Sequence, residues 1–343
     1  MTTEDDDAMH STCRLLIATL ALLCAGTASA IDTDRDDVRA FIDEMVEQHG
    51  FERAELVVLL GEAEVQEGIL EAMRRPAERT KPWHEYRDIF IQPKRVKAGV
   101  AFWAEHADAI ERISADTGVP AEILVGIIGV ETYYGRITGK HRVLDALVTL
   151  GFDYPPRANF FRKELGQFLQ LAREEDIDPR TALGSYAGAM GAPQFIPSSY
   201  RAYADDGDGD GRKDLFNNWD DVLASVAEYF RRHRWKPGAP VVAAASLTDG
   251  ASLALPAENK LADPIDISAL REQGLKFDTA ALAGDSARVI VFEGDAGREL
   301  HVGFHNFYVI TRYNRSTMYA MAVWQLGNEI AAARHASEVA ATP

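Results

Sequence analysis

Glu131 stands at the end of an apolar run, in IIGVETYYGR (residues 127–136), with two tyrosines directly behind it. Pro120 fits the first turn of a helix and Gly135 fits just past its end. Between them Ile123, Ile127 and Glu131 fall four apart, with Leu124 and Ile128 alongside. That spacing puts Glu131 on the buried stripe, at its C-terminal end. Burial disfavours a carboxylate, and so does the negative end of a helix dipole. A glutamate so placed keeps its proton near neutral pH and can pass it to a leaving oxygen. The position also suits a structural ion pair with Arg136 or Lys140, and this segment alone leaves both readings open.

Tyr133 and Tyr134 are in register with the acid, and a second polar motif follows in SYAGAMGAPQFIPSSY (residues 185–200). Its small residues let backbones approach closely, and Gln194 can both donate to and accept from a sugar amide. A hydrolase with two carboxylates would need a partner for Glu131. Asp145, Asp153 and Glu164 are near in sequence, but none has a comparably apolar context.

DDGDGDGRKDLFNNWDD (residues 205–221) contains the D-x-D-x-D-G pattern of a calcium loop. Counted from Asp206, the ligands are Asp206, Asp208, Asp210 and the backbone carbonyl of Arg212, with Gly211 at the sharp turn. Asn217 replaces the usual glutamate at position twelve. Three aspartates at alternate positions repel one another unless a cation neutralises them, so a structural calcium ion is expected. No cofactor is expected for catalysis, because His301 and His305, though four apart, lack the glutamate of a zinc motif.

These groups need helices to hold them. VRAFIDEMVEQHG (38–50) and KAGVAFWAEHADAIERISADTG (97–118) each carry one apolar face and end at glycine. The Pro-containing stretch 74–93 reads as an irregular connection. Short helices broken by Gly and Pro fill 120–234. Residues 236–264 are loop-rich, and RVIVFEG, RELHVGF and FYVITRY read as two or three strands, the first pair joined by Asp295-Ala296-Gly297. A final helix spans MYAMAVWQLGNEIAAARHA (318–336).

The 343 residues carry a net charge of −17 without a visible basic patch, which argues against nucleic acid as a partner. Arg14 and the apolar LLIATLALLCAGTASA ending in Ala28-Ser29-Ala30 form a secretory leader, with Met9 an alternative start. Both cysteines, Cys13 and Cys24, lie within it, so the mature chain is expected to fold without disulfides. Leu23 fits poorly before a lipidated cysteine, and export without a lipid anchor is expected.

IIGVETYYGR, SYAGAMGAPQFIPSSY and FYVITRYNRSTMYAMAVWQLG (307–327), in that order, closely resemble the B-type membrane-bound and soluble lytic murein transglycosylases of Gram-negative bacteria. The resemblance runs from about residue 35 to 333. It implies a mainly α chain, with a lysozyme-like helical core, a further helical region and a small β region near the C-terminus. The corresponding boundaries are a leader at 1–30, an N-terminal helical region at 31–118 and a catalytic core with the EF-hand-like loop at 119–236. A loop and β region at 237–304 and a core-completing segment at 305–343 follow.

The resemblance also implies cleavage of the β-1,4 MurNAc–GlcNAc bond of peptidoglycan, with Glu131 as acid and then base. The MurNAc 6-hydroxyl, in place of water, closes a 1,6-anhydro ring. Ser185, Tyr186 and Gln194 match positions lining the cleft, and Tyr229, Tyr313 and Tyr319 match aromatics bordering the sugar subsites. Arg157 keeps one of two arginines found in some relatives, because Tyr154-Pro155-Pro156-Arg157 stands in place of YPRR. The calcium loop is closed in the family by a later aspartate, which corresponds to Asp221, with Asp220 as the competing choice. Glycan strands are the implied partner of a periplasmic monomer, and cell-wall synthases are a further candidate. A water-using muramidase and a non-catalytic, calcium-stabilised wall-binding protein are the alternatives.

Overall fold

The computed structural model describes residues 29–74, 81–281 and 285–341. The leader read at 1–30 therefore lies outside the described residues except for Ser29 and Ala30, which pair with Glu64 and Val65. Helices dominate, with one five-stranded antiparallel sheet.

At the centre runs the helix Ala121–Thr132, with every residue from Ile123 to Val130 buried. A helix apolar all round must be enclosed by others. It is enclosed by the helices Pro93–Glu105, Ala107–Thr117 and Trp219–Arg232 and by the long C-terminal helix Thr317–Ala341. Two glycines set the closest crossing. A Cβ on Gly126 would lie 2.6 Å from the Val323 carbonyl oxygen, and one on Gly327 would lie 2.1 Å from that of Glu122. Both distances are well inside van der Waals contact, so only glycine lets the central and C-terminal helices meet this closely.

The helix Asp36–His49 buries Val38, Phe41, Ile42 and Met45 and stops at Gly50, which takes the left-handed conformation at φ 64°. Its neighbour across a groove is the helix Ala158–Glu174, itself paired with Val143–Asp153. The helix expected over 97–118 is two helices, Pro93–Glu105 and Ala107–Thr117, broken at His106. The His106 ring packs on Phe102 and Trp219, so a tertiary contact overrides a continuous apolar pattern.

Two expectations need correction. Residues 83–90, within the stretch read as irregular, form a helix that buries Trp83 and Tyr86. FYVITRY is not a strand: it belongs to the helix His305–Tyr313. Its β-branched and aromatic content mimics a strand, but Asn306 fixes the helix start. The Asn306 amide donates to the carbonyls of Lys236 and Ala239 and accepts from the Lys236 N–H.

The sheet order is Ile265–Asp266, Ser286–Gly294, Gly297–Gly303, Val242–Leu247 and Leu275–Phe277. Its central hairpin pairs Val289 with Val302 and Gly294 with Gly297 across the expected turn. Side chains alternate across the sheet. Val289 and Val291 pack in a small core with Leu270, Leu275 and Phe304, while Ile290 and Phe292 join the large helical core, where Phe292 meets Trp83 at 5.0 Å.

Candidate active site

The Ala121–Thr132 helix ends beneath an unusual turn. Tyr133, Tyr134 and Gly135 are all left-handed, at φ 52°, 59° and 76°. Two consecutive non-glycine residues in that region carry strain that tertiary contacts must hold. The Tyr134 hydroxyl donates to the Arg95 carbonyl, and its ring stacks on Phe102. Tyr133 lies between the guanidinium groups of Arg95 and Arg136. Neither tyrosine is hydrogen-bonded to Glu131, which corrects the register expected from sequence.

The partner of Glu131 comes from 188 positions away: the Tyr319 hydroxyl donates to Glu131 Oε1 at 2.5 Å. Tyr319 is 3% exposed, on the first turns of the C-terminal helix, and the glycine crossing brings it to the acid. Burial pushes the Glu131 carboxyl up to about 7, and the bond from Tyr319 opposes that rise. Burial and the neighbouring Glu131 charge in turn hold the Tyr319 phenol well above its ordinary range. Glu131 forms no ion pair with Arg136 or Lys140.

The second motif builds a tight turn beside the acid. Met190 and Phe195 exchange backbone bonds around Gly191-Ala192-Pro193-Gln194, in which Gly191 and Gln194 are left-handed. Three clamps fix the turn. Thr132 Oγ1 donates to the Ala192 carbonyl at 2.9 Å, Tyr313 donates to the Pro193 carbonyl at 2.6 Å, and the Ala192 N–H donates to Leu215. Gln194 uses both protons of Nε2 on the carbonyls of Thr138 and Gly191, each at 2.9 Å. Its side chain is therefore left as an acceptor only, not the donor and acceptor expected from sequence. Thr132 was missed by sequence reasoning. Its place directly after the acid was the available signal, but its target, Ala192, lies 60 positions on.

The other expected residues are distributed as follows. The Ser185 hydroxyl accepts from the N–H groups of Ala187 and Ala189, shaping the loop that exposes Tyr186. Tyr229 is buried, stacked on His233 at 4.1 Å, and donates to the Arg312 carbonyl. As placed, it supports the backbone next to Tyr313 instead of presenting a ring face. Tyr313 joins Phe195, Tyr229 and Phe230 in one aromatic cluster. Arg157 is exposed and lies over the rings of Phe160 and Phe161.

Asp145 and Glu164, expected to lack an apolar context comparable to that of Glu131, are nonetheless buried. Each is committed to structure. Asp145 accepts from Arg142, the Glu64 N–H and Gln66, while Glu164 caps Ser198 through its N–H and hydroxyl. Asp153 is paired with Arg35.

In the acidic loop, carboxylate oxygens of Asp206, Asp208 and Asp210 converge within 4.8 Å of one another. That spread fits a cation with oxygen ligands at roughly 2.3–2.6 Å. Asp221 is fully buried behind the loop and accepts from the N–H groups of Gly207 and Asp214, at 2.8 and 2.7 Å. Asp220 faces away, paired with Arg112 at 2.6 Å.

Residues 33–328 match the model of the transglycosylase SLT domain family. The chain belongs to that family. A curated relative, membrane-bound lytic murein transglycosylase B of Escherichia coli K12, is 44% identical over 309 residues, spanning 87% of this chain and 83% of the relative. Catenated lytic transglycosylase SltB1 of Pseudomonas aeruginosa superposes with a TM-score of 0.83 at 51% identity, covering 88% of this chain and 98% of its own. The E. coli lytic transglycosylase Slt35 in complex with calcium gives 0.81 at 43%, over 90% and 96% of the two chains. SltB3 of P. aeruginosa, in complex with NAG-anhNAM-pentapeptide, gives 0.76 at 30%, over 85% and 78%. The transglycosylase SLT family assignment agrees with the expected mainly α fold with a small β region.

Proposed function

We propose that this protein is a lytic transglycosylase that cleaves the β-1,4 MurNAc–GlcNAc bond of peptidoglycan and releases 1,6-anhydromuramyl ends. The observation that carries the proposal is the partly buried carboxyl of Glu131, held by Tyr319 and pushed up to about 7, in a chain of this family. Tyr319 donates to Oε1, so the catalytic proton resides on Oε2. That proton passes to the glycosidic oxygen as the C1–O bond breaks, its electron pair leaving with the GlcNAc O4. The MurNAc O6 then attacks C1 while its proton goes to the Glu131 carboxylate, which restores the acid. Atoms balance without water. A water-using muramidase would need a second carboxylate, and Asp145, Asp153 and Glu164 are all engaged elsewhere.

Ser185, Tyr186, Gln194, Arg157, Tyr313 and Tyr319 line the glycan path in this reading, with Tyr229 supporting Tyr313. The catalytic unit is 119–236 completed by 305–343, flanked by the helical 31–118 and the β-containing 237–304. Asp206, Asp208, Asp210, the Arg212 carbonyl and Asp221 would hold a calcium ion, which supplies loop rigidity and no chemistry. Asp221 is preferred to Asp220 because Arg112 occupies the latter. The leader sends the chain to the periplasm, where it works on glycan strands as a monomer. Cell-wall synthases are the class of protein partner consistent with that location.

Mass spectrometry of soluble products from purified peptidoglycan tests the chemistry. Muropeptides lighter by one water and without a reducing end, absent with Glu131→Gln, are expected. Reducing-end products would make it a hydrolase, and no products from either protein would support the wall-binding alternative.

A further inference from the structure

Arg95 stands in the first turn of the helix Pro93–Glu105, and its half-buried guanidinium forms no ion pair with any described carboxylate. Burial pushes its pKa down, so the charge is held there against a loss of hydration. Two kinds of contact keep it in place. Nη1 donates to the Gly129 carbonyl at 2.6 Å, and the guanidinium lies over the Tyr133 ring at 4.7 Å and the Phe90 ring at 5.4 Å.

Gly129 is two residues before Glu131, in the last turn of the acid's helix. In a regular helix its carbonyl would accept from the N–H of Tyr133, four residues on. That N–H goes to the Ile128 carbonyl, where the chain turns left-handed. Arg95 supplies the donor that the turn has diverted. The backbone of the same segment grips the turn as well. The Tyr134 hydroxyl donates to the Arg95 carbonyl at 3.0 Å, and the Tyr133 hydroxyl donates to that of Lys94 at 3.4 Å. Two glycines leave room for the first of these bonds. A Cβ on Gly99 would lie 2.5 Å from the Tyr134 hydroxyl, and one on Gly129 would lie 2.8 Å from it. One helical turn therefore holds both strained tyrosines and the carbonyl just ahead of the acid. On the other side of Glu131, Thr132 is tied to Ala192.

We infer that Arg95 is a positioning residue for the lytic reaction: by bonding Gly129 and lying on Tyr133, it fixes the last turn of the acid's helix and thereby seats Glu131 against Tyr319. Its side chain bonds neither Glu131 nor Tyr319, so it acts through the backbone. The inference rests on the proposed function. A cap that served stability alone would lower the melting temperature and leave the chemistry of the folded enzyme unchanged. The test is steady-state kinetics on soluble, uncrosslinked peptidoglycan strands, with every variant assayed well below its melting temperature. Arg95→Gln should lower kcat about tenfold with KM within about twofold, the pattern of a misplaced reacting group. Arg95→Lys keeps the cation but not the planar fork, and should lose only about threefold. If Arg95 works by seating Glu131 against Tyr319, the two substitutions are not additive. Arg95→Gln combined with Tyr319→Phe should be no more than about twofold slower than Tyr319→Phe alone.

Parental kcat in Arg95→Gln overturns the inference, whatever its melting temperature. A raised KM with unchanged kcat also overturns it and makes Arg95 a substrate contact. Losses that multiply in the double variant overturn it too, because Arg95 would then act independently of the Glu131–Tyr319 pair. Should Arg95→Gln fail to fold, Arg95→Lys decides: the loss of about threefold supports the inference, and parental activity overturns it. The two proposals fail differently. If the unaltered enzyme releases no muropeptides, the functional reading falls and this inference with it. If it releases them and Arg95→Gln does so at the same rate, only this inference falls.

Discussion

Glu131 is an acid because its surroundings penalise charge, and Tyr319 sets how far. The tyrosine stabilises the carboxylate form, so removing its hydroxyl should move the Glu131 pKa further up while loosening the side chain. Tyr319→Phe is expected to lower kcat by roughly 10- to 100-fold and to shift the alkaline limb of the pH–rate profile upward. A drop in rate with the limb unmoved would assign Tyr319 a packing role only. Stability should report the same carboxyl. Its folded pKa, about 7, is raised above the ordinary 4.5. Its contribution to stability is therefore intact below about pH 4.5 and is lost as pH rises through 7. Glu131→Gln should be more stable than the parent by ~3 kcal/mol at pH 8 and gain nothing at pH 4, as read by urea denaturation. The acid itself was legible from apolar spacing, because burial and helix position are local. Tyr319 was legible only through resemblance, because no spacing rule links positions so far apart in the chain.

At the scale of elements, the site depends on how two helices cross. Gly126 and Gly327 allow the backbones of the central and C-terminal helices to touch, and that contact places Tyr319 over Glu131. Gly327→Ala would drive a methyl into the Glu122 carbonyl, costing about 1–3 kcal/mol in thermal or denaturant unfolding. It should also reduce kcat with little change in KM, since the acid and its partner would be displaced together. An unchanged melting temperature would mean that the crossing has slack. Helix ends at Gly50 and Gly118 were readable because glycine tolerates the left-handed cap. FYVITRY was misread because composition spoke for a strand, while the Asn306 latch, made with residues 67–70 positions away, decided for a helix. The break at His106 has the same kind of cause, a ring packed against the distant Trp219.

For the molecule as a whole, stability comes from one large helical core and a smaller one behind the sheet, with the acidic loop as a separate support. Calcium should raise the melting temperature in a saturable way, by up to the equivalent of ~3 kcal/mol at a hundredfold excess over Kd. Asp208→Ala should abolish that increase, while a response that survives it would move the ion elsewhere. The central claim concerns a single proton, and carbon-13 NMR of glutamate side-chain carboxyls, with Glu131→Gln identifying the resonance, tests it most directly. The account predicts a signal that titrates near pH 7 in the parent protein and is missing in the variant. A Glu131 resonance titrating near 4.5 would contradict it, because a glutamate already ionised at neutral pH has no proton to give.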